Sequence, residues 1–149
     1  MNDKQYIETT AFKTLYYSDK AMTVLHREDG PAAEYAGGDK AWYINGERHR
    51  EDGPAVDYDG LKEWYINGKL HREGAPAVED TDGYKEWRLN GELHREDGPA
   101  VEDTDDHKEW WINGKLHRED GPAIVYATGH KEWWIDGESV NEDDSPYNR

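Results

Sequence analysis

Five histidines, His26, His49, His71, His94 and His117, are each followed by an arginine and a glutamate. The full unit, as at His94–Ala100, reads His-Arg-Glu-Asp-Gly-Pro-Ala. It is intact at His26–Ala32, His49–Ala55 and His117–Ala123, and altered at His71–Ala77, where Gly74-Ala75 replaces Asp-Gly. An imidazole and a carboxylate two residues apart share one strand face, so each copy offers two groups able to ligate a metal. Two ligands make a weak site. Histidines repeating every two or three strands, at ~4.8 Å per strand, would stand roughly 10–14 Å apart, too far to share one ion. No metal and no cofactor is expected. The arginines Arg27, Arg50, Arg72, Arg95 and Arg118 form a second ladder, which could sequester a small anionic metabolite or signalling nucleotide. The preferred reading is structural: these groups hydrogen-bond and pair within and between neighbouring hairpins. Val140 and Asn141 stand where a sixth His and Arg would be, after the last full repeat, as suits groups that join one repeat to the next.

Nucleophilic catalysis finds no candidate. There is no Cys, and the serines Ser18, Ser139 and Ser145 fall in turn or terminal segments without a His–Asp partner peculiar to one repeat. No phosphate-cradling glycine loop is present. A chain that repeats itself lacks the single asymmetric site an enzyme needs, so no enzymatic activity is expected.

The elements that position these residues follow from a fixed period. The histidines step by 23, 22, 23 and 23 residues, and Trp42, Trp64, Trp87, Trp110 and Trp133 by 22, 23, 23 and 23. The one-residue deletion falls in Asp57–Leu61, where Asp59-Gly60 marks a turn; loops absorb length changes and strands do not. Within a unit, Pro99–Glu102 begins a strand, Asp103–His107 turns, and Lys108–Ile112 forms a second strand of residues suited to a pleated surface. Asn113-Gly114 is a type I′ hairpin signal, Lys115–Arg118 returns, and Asp120-Gly121 turns into the next unit. No segment has helical apolar spacing. The predicted fold is all-β: an elongated antiparallel array of stacked β-hairpin repeats with a ~23-residue period and almost no helix. One domain spans residues 1–149, with an N-terminal cap over 1–24, five hairpin repeats over 25–135 and a degenerate C-terminal cap and tail over 136–149. Lys13–Tyr17 reads as a worn Lys-Glu-Trp-Tyr-Ile segment, and Tyr147–Arg149 is expected to fray.

Composition agrees with a thin object. Leu, Ile, Val and Phe total 20 of 149 residues and the net charge is −16, values that alone would suggest disorder. The 7 Trp and 10 Tyr recur at fixed spacing and are expected to supply most of the buried surface. Strand alternation puts Trp42 and Ile44, and their counterparts, on a core face. Tyr43, Tyr65, Arg88, Trp111 and Trp134 then line the opposite face, which varies yet is aromatic in four of five copies. That stripe is the candidate binding surface. The acidic turns Glu79–Gly83 and Glu102–Asp106 resemble fragments of a Ca²⁺ loop without its closing bidentate Glu. They read as a solvated acidic edge, with nucleic-acid mimicry as the sharper alternative.

The period, the aromatic strand, the Asn-Gly turn and the glycine-bearing return resemble the MORN family, particularly its variant repeats, over residues ~13–137. Leu-His-Arg-Glu-Asp-Gly-Pro-Ala followed by Lys-Glu-Trp-Tyr-Ile-Asn-Gly is similar to repeat proteins of bacteriophages and large DNA viruses. The chain departs from ordinary MORN units in leading with Trp rather than Tyr-x-Gly and in adding His-Arg-Glu-Asp. The resemblance implies stacked hairpins and a non-enzymatic binding module, here a viral accessory protein that inhibits or recruits a host protein. The charge favours a partner with a basic surface and opposes direct nucleic-acid or membrane binding. Sheet edges could support a homo-oligomer. With no run of ~20 apolar residues and no signal-like start, the expected location is the cytoplasm, that of the host cell for a viral protein.

Overall fold

The computed structural model describes residues 5–144. The first four residues and the tail from Ser145, including the expected fraying of Tyr147–Arg149, lie outside the described residues. The described chain is all-β: short antiparallel strands and one 3₁₀ turn at Glu142–Asp144. It divides into two compact units between Leu70 and His71.

In the first unit, six strands hydrogen-bond in the order Tyr6–Thr9, Lys13–Tyr17, Ala33–Tyr35, Lys40–Ala41, Val56–Tyr58 and Leu61–Glu63. In the second, seven follow in the order Val78–Glu79, Lys85–Glu86, Val101–Glu102, Lys108–Glu109, Ile124–Val125, Lys131–Ile135 and Glu138–Val140. Between these ladder strands project small hairpins, such as Tyr43–Ile44 with Glu47–Arg48 and Trp111–Ile112 with Lys115–Leu116. Each turns on Asn-Gly with both residues at positive φ, for example 49° at Asn113 and 72° at Gly114. That is the type I′ geometry whose twist matches the flanking strands. The deletion sits in a loop: Asp57 pairs with Lys62, whereas Glu102 pairs with Lys108, and Asp59-Gly60 closes the shorter connection with positive φ at both residues.

The predicted continuous strand Lys108–Ile112 is corrected to two strands of two residues, broken at Trp110. Lys108–Glu109 pairs in the ladder, while Trp111–Ile112 pairs in the hairpin. At the break the Trp110 N–H donates to the Ala123 carbonyl (2.8 Å), and the Trp110 carbonyl accepts from the His117 N–H (3.0 Å). Trp87, between Ala100 and His94, and Trp42, between Ala55 and His49, do the same. The tryptophan is thus a corner at which the chain leaves one ladder for another. Lys131–Ile135 in the fifth repeat keeps a five-residue strand, as does Lys13–Tyr17 in the N-terminal cap.

In the N-terminal cap the corner falls on Tyr16, whose N–H donates to Ala32 and whose carbonyl accepts from His26. Tyr16, not Leu15, therefore stands in the Trp place, one position later than the sequence comparison puts it.

The core also differs from expectation. Among the described residues the buried apolar positions are the closing alanines of the heptapeptides, Ala32, Ala55, Ala77, Ala100 and Ala123, the residues after them, Ala33, Val56, Val78, Val101 and Ile124, and, in the first unit, Leu15, Tyr17 and Ala41. The corner tryptophans are half-buried, and so are the stripe residues on the supposed outer face. Alternation could not separate the faces because its period of two assumes one continuous strand, and the corner interrupts it. The heptapeptide alanines keep no exposed surface, whereas the corner tryptophans beside them stay partly exposed.

Candidate functional site

Each heptapeptide wraps its own arginine. Arg95 Nε donates to Asp97 Oδ1 (2.9 Å), and Nη1 donates to the Pro99 carbonyl (3.1 Å) and to Glu102 Oε1 (2.9 Å). Its guanidinium lies 3.9 Å over the Trp87 ring. Arg27 repeats the pattern on Asp29, Pro31, Glu34 and Tyr16. Arg50 and Arg118 repeat it on Asp52, Pro54 and Trp42, and on Asp120, Pro122 and Trp110. The motif glycine is needed for room: a Cβ on Gly98 would stand 2.9 Å from Arg95 Cζ, and one on Gly53 2.8 Å from Arg50 Cζ. Arginine, aspartate, glycine and proline therefore act as one buckle closed against an aromatic ring. In the altered copy Arg72 Nη1 still donates to Pro76 (3.0 Å), but Gly74 brings no carboxylate to the aspartate position.

The histidine reaches forward to the next hairpin. His94 Nδ1 accepts the Asn113 N–H (3.1 Å), His26 that of Asn45 (3.0 Å), and His49, His71 and His117 those of Asn67, Asn90 and Asp136. Backbone bonds run beside it: the Arg95 N–H donates to the Trp111 carbonyl and the Gly114 N–H to that of Leu93. Each ring nitrogen thus supplies the acceptor for a turn N–H exposed by the φ > 0 conformation. Val140 stands in the sixth place and pairs with Trp133 in the hairpin of Lys131–Ile135 with Glu138–Val140.

The arginines already donate to oxygens of the protein itself. In Arg27, Arg50, Arg95 and Arg118, Nε and Nη1 donate to the protein's own oxygens, beside carboxylates that repel an anion. The hydrogen bonds from these arginines hold Asp29, Asp52, Asp97 and Asp120 below the usual aspartate value of 3.8. A carboxylate whose folded-state pKa is depressed contributes stability above its unfolded value, and that contribution is lost as pH falls through the folded value. The urea midpoint should therefore start to drop below about pH 3.8, and replacing all four aspartates by Asn should flatten that acid limb.

The stripe residues are tethered through their polar atoms. Trp111 Nε1 donates to Glu109 Oε2 (2.7 Å) and Trp134 Nε1 to Glu132 Oε2 (2.9 Å), while Arg88 Nε donates to Glu86 and its Nη1 to the Gly91 carbonyl. In the first unit Arg48 bridges Glu63 (3.0 Å) and the Tyr65 hydroxyl (3.1 Å) and approaches that of Tyr43. Burial and the neighbouring Glu63 push the Tyr65 phenol up. Trp111 and Trp134 wall a shared cleft of about 420 Å³ with Gly114, Lys115, Leu116, Asp136 and Gly137. Sequence reading missed Arg48 and the glutamate two residues before four of the five stripe positions, Ala41 taking that place before Tyr43. The signal was the Lys-Glu-Trp spacing, which puts Glu109 two residues before Trp111. It also missed Tyr35 and Tyr58, exposed at the far strand ends with rings edge-to-face at 6.2 Å. The acidic turns brace themselves: Asp80 Oδ1 accepts the N–H groups of Asp82 and Tyr84.

Short strand pairs, corner tryptophans and buckled heptapeptides define an all-β hairpin-repeat protein. No family model, curated protein or solved structure matches the chain.

Proposed function

We propose that the chain is a non-enzymatic binding module that engages a partner protein through the aromatic strand position of its repeats, Tyr43 and Tyr65 in the first unit and Arg88, Trp111 and Trp134 in the second. The observation that carries this reading is the division of labour within a repeat. The heptapeptide spends its histidine and arginine on internal bonds, whereas the stripe keeps half-exposed rings, two of which wall an open cleft. Aromatic rings anchored at one polar atom give large contact area with little entropy to lose, the usual make-up of a binding hot spot.

The test is affinity capture from host cells with the full chain and with a Trp111→Ser, Trp134→Ser variant, after circular dichroism has matched the two. A protein partner retained by the parent and bound at least tenfold more weakly by the variant supports the reading. Equal retention of every captured protein overturns it.

A further inference from the structure

We propose that the clefts between consecutive heptapeptide turns receive the cationic side chains of an extended, basic segment of a partner protein. The surface is distinct from the aromatic stripe, so either reading can fail alone. In the first unit a cleft of about 680 Å³ lies between the turns at residues 27–31 and 49–52, with Trp42 and Ile44 at its base. In the second unit, a cleft of about 660 Å³ between residues 95–99 and 117–120 has Trp110 and Ile112 in the same places. Another of about 510 Å³, between residues 72–76 and 94–97, has Trp87 and Leu89.

Charge selects the occupant. The cleft over Trp110 is lined by two arginines, Arg95 and Arg118, and four carboxylates, Glu96, Asp97, Glu119 and Asp120. Asp97 and Asp120 are matched by the arginines at 2.9 and 2.7 Å. Glu96 and Glu119 stand at the rim without an arginine partner, with side chains 86% and 75% exposed, each 3.9 Å from the Nε2 of His94 or His117. Glu28 and Glu51 hold the same places over Trp42. Each of these two clefts thus pairs an isoleucine and the part of an indole left beside its stacked arginine, suited to the methylene stem of Lys or Arg, with an acidic rim for its head. An anion would meet the surplus carboxylates instead. In the cleft over Trp87, Gly74 replaces the aspartate and the lining charges balance, two against two, so that cleft binds a cation less well.

Spacing selects the conformation. Two ladder strands per repeat set equivalent points about 9.6 Å apart. A polyproline II segment advances ~3.1 Å per residue with three residues per turn, so every third side chain recurs on one face at ~9.3 Å. A basic residue at every third position would enter the two neighbouring clefts of the second unit in step.

The probe is a labelled (Arg-Pro-Pro)₄ peptide, titrated against the full chain at low salt beside an Arg₄Pro₈ peptide of the same composition. The periodic peptide should bind at least tenfold more tightly. The Glu28→Gln, Glu51→Gln, Glu96→Gln, Glu119→Gln variant should lose at least tenfold, because these exposed side chains carry the rim. A charge-matched control, Asp59→Asn, Asp82→Asn, Asp105→Asn, Asp106→Asn, should lose less than threefold. Equal binding of the two peptides, equal losses in the two variants, or no binding overturns the proposal. Retained peptide binding in the Trp111→Ser, Trp134→Ser protein separates this surface from the aromatic stripe.

Discussion

Arg95→Ala should lower the stability of the chain by about 3 kcal/mol, read as a fall in the urea midpoint. The side chain is only 21% exposed, and its removal acts in three places at once. The Pro99 carbonyl, which accepts Nη1 at 3.1 Å, loses its donor, and an acceptor stranded in a partly buried site costs about 1–3 kcal/mol. The Trp87 ring, covered by the guanidinium at 3.9 Å, loses a cation–π contact of about 0.5–2 kcal/mol. The space against Gly98, where even a Cβ would be crowded, becomes a void. The bond to Asp97 is exposed and screened, and adds little. Arg95→Lys should recover only part of the loss, because one ammonium cannot serve Asp97, Pro99 and Glu102 in the planar fork while lying flat on the indole. A double-mutant cycle of Arg95→Ala with Trp87→Ala should return a coupling of about 1 kcal/mol. Independent, additive losses would show that the two groups are neighbours without being partners.

Ala100→Leu should cost about 3 kcal/mol or more, and Val101→Ile less than about 1.5 kcal/mol, although the two positions are adjacent. Ala100 has no exposed surface, and its backbone ties three segments together, donating to the Glu109 carbonyl and accepting from the Trp87 N–H. Extra methylenes there must push those segments apart, so the cost combines overpacking with stretched hydrogen bonds. All five copies carry Ala at this place. The following position already accommodates Ala33, Val56, Val78, Val101 and Ile124, so it has tolerance to spare. Equal costs at the two sites would mean that the alanine row is not the constrained axis of the ladder.

The aromatic cores expected from composition and the alanine cores observed differ for one reason. Composition shows which side chains could bury large areas, but the distance between packed segments decides which do. A tryptophan that ends one ladder and begins another presents an edge to each, and finds its covering in an arginine eight residues later, as Trp87 does in Arg95. The same spacing recurs at Trp42–Arg50 and Trp110–Arg118, but that these groups touch depends on the turn that brings the arginine back over the ring. The Asn-Gly turns and the loop-confined deletion were legible because they rest on local conformational rules: φ > 0 at the turn residues and a length change absorbed between Asp57 and Lys62.

The candidate site divides in the same way. The stripe Tyr43, Tyr65, Arg88, Trp111 and Trp134 could be picked out by position, but its glutamate tethers and the cleft between Trp111 and Trp134 required side chains brought together from different strands.

From the sequence alone came the period, the hairpin turns, the all-β class and the reading of His-Arg-Glu-Asp as a joint, because repetition and turn chemistry are properties of neighbouring residues. Only the tertiary structure decided that the histidine holds the next hairpin's turn N–H, that the arginine is buckled between glycine and an indole, and that alanine forms the core. Those outcomes depend on which segments come within hydrogen-bond or van der Waals reach across the fold. Spacing along the chain constrains that reach without determining it.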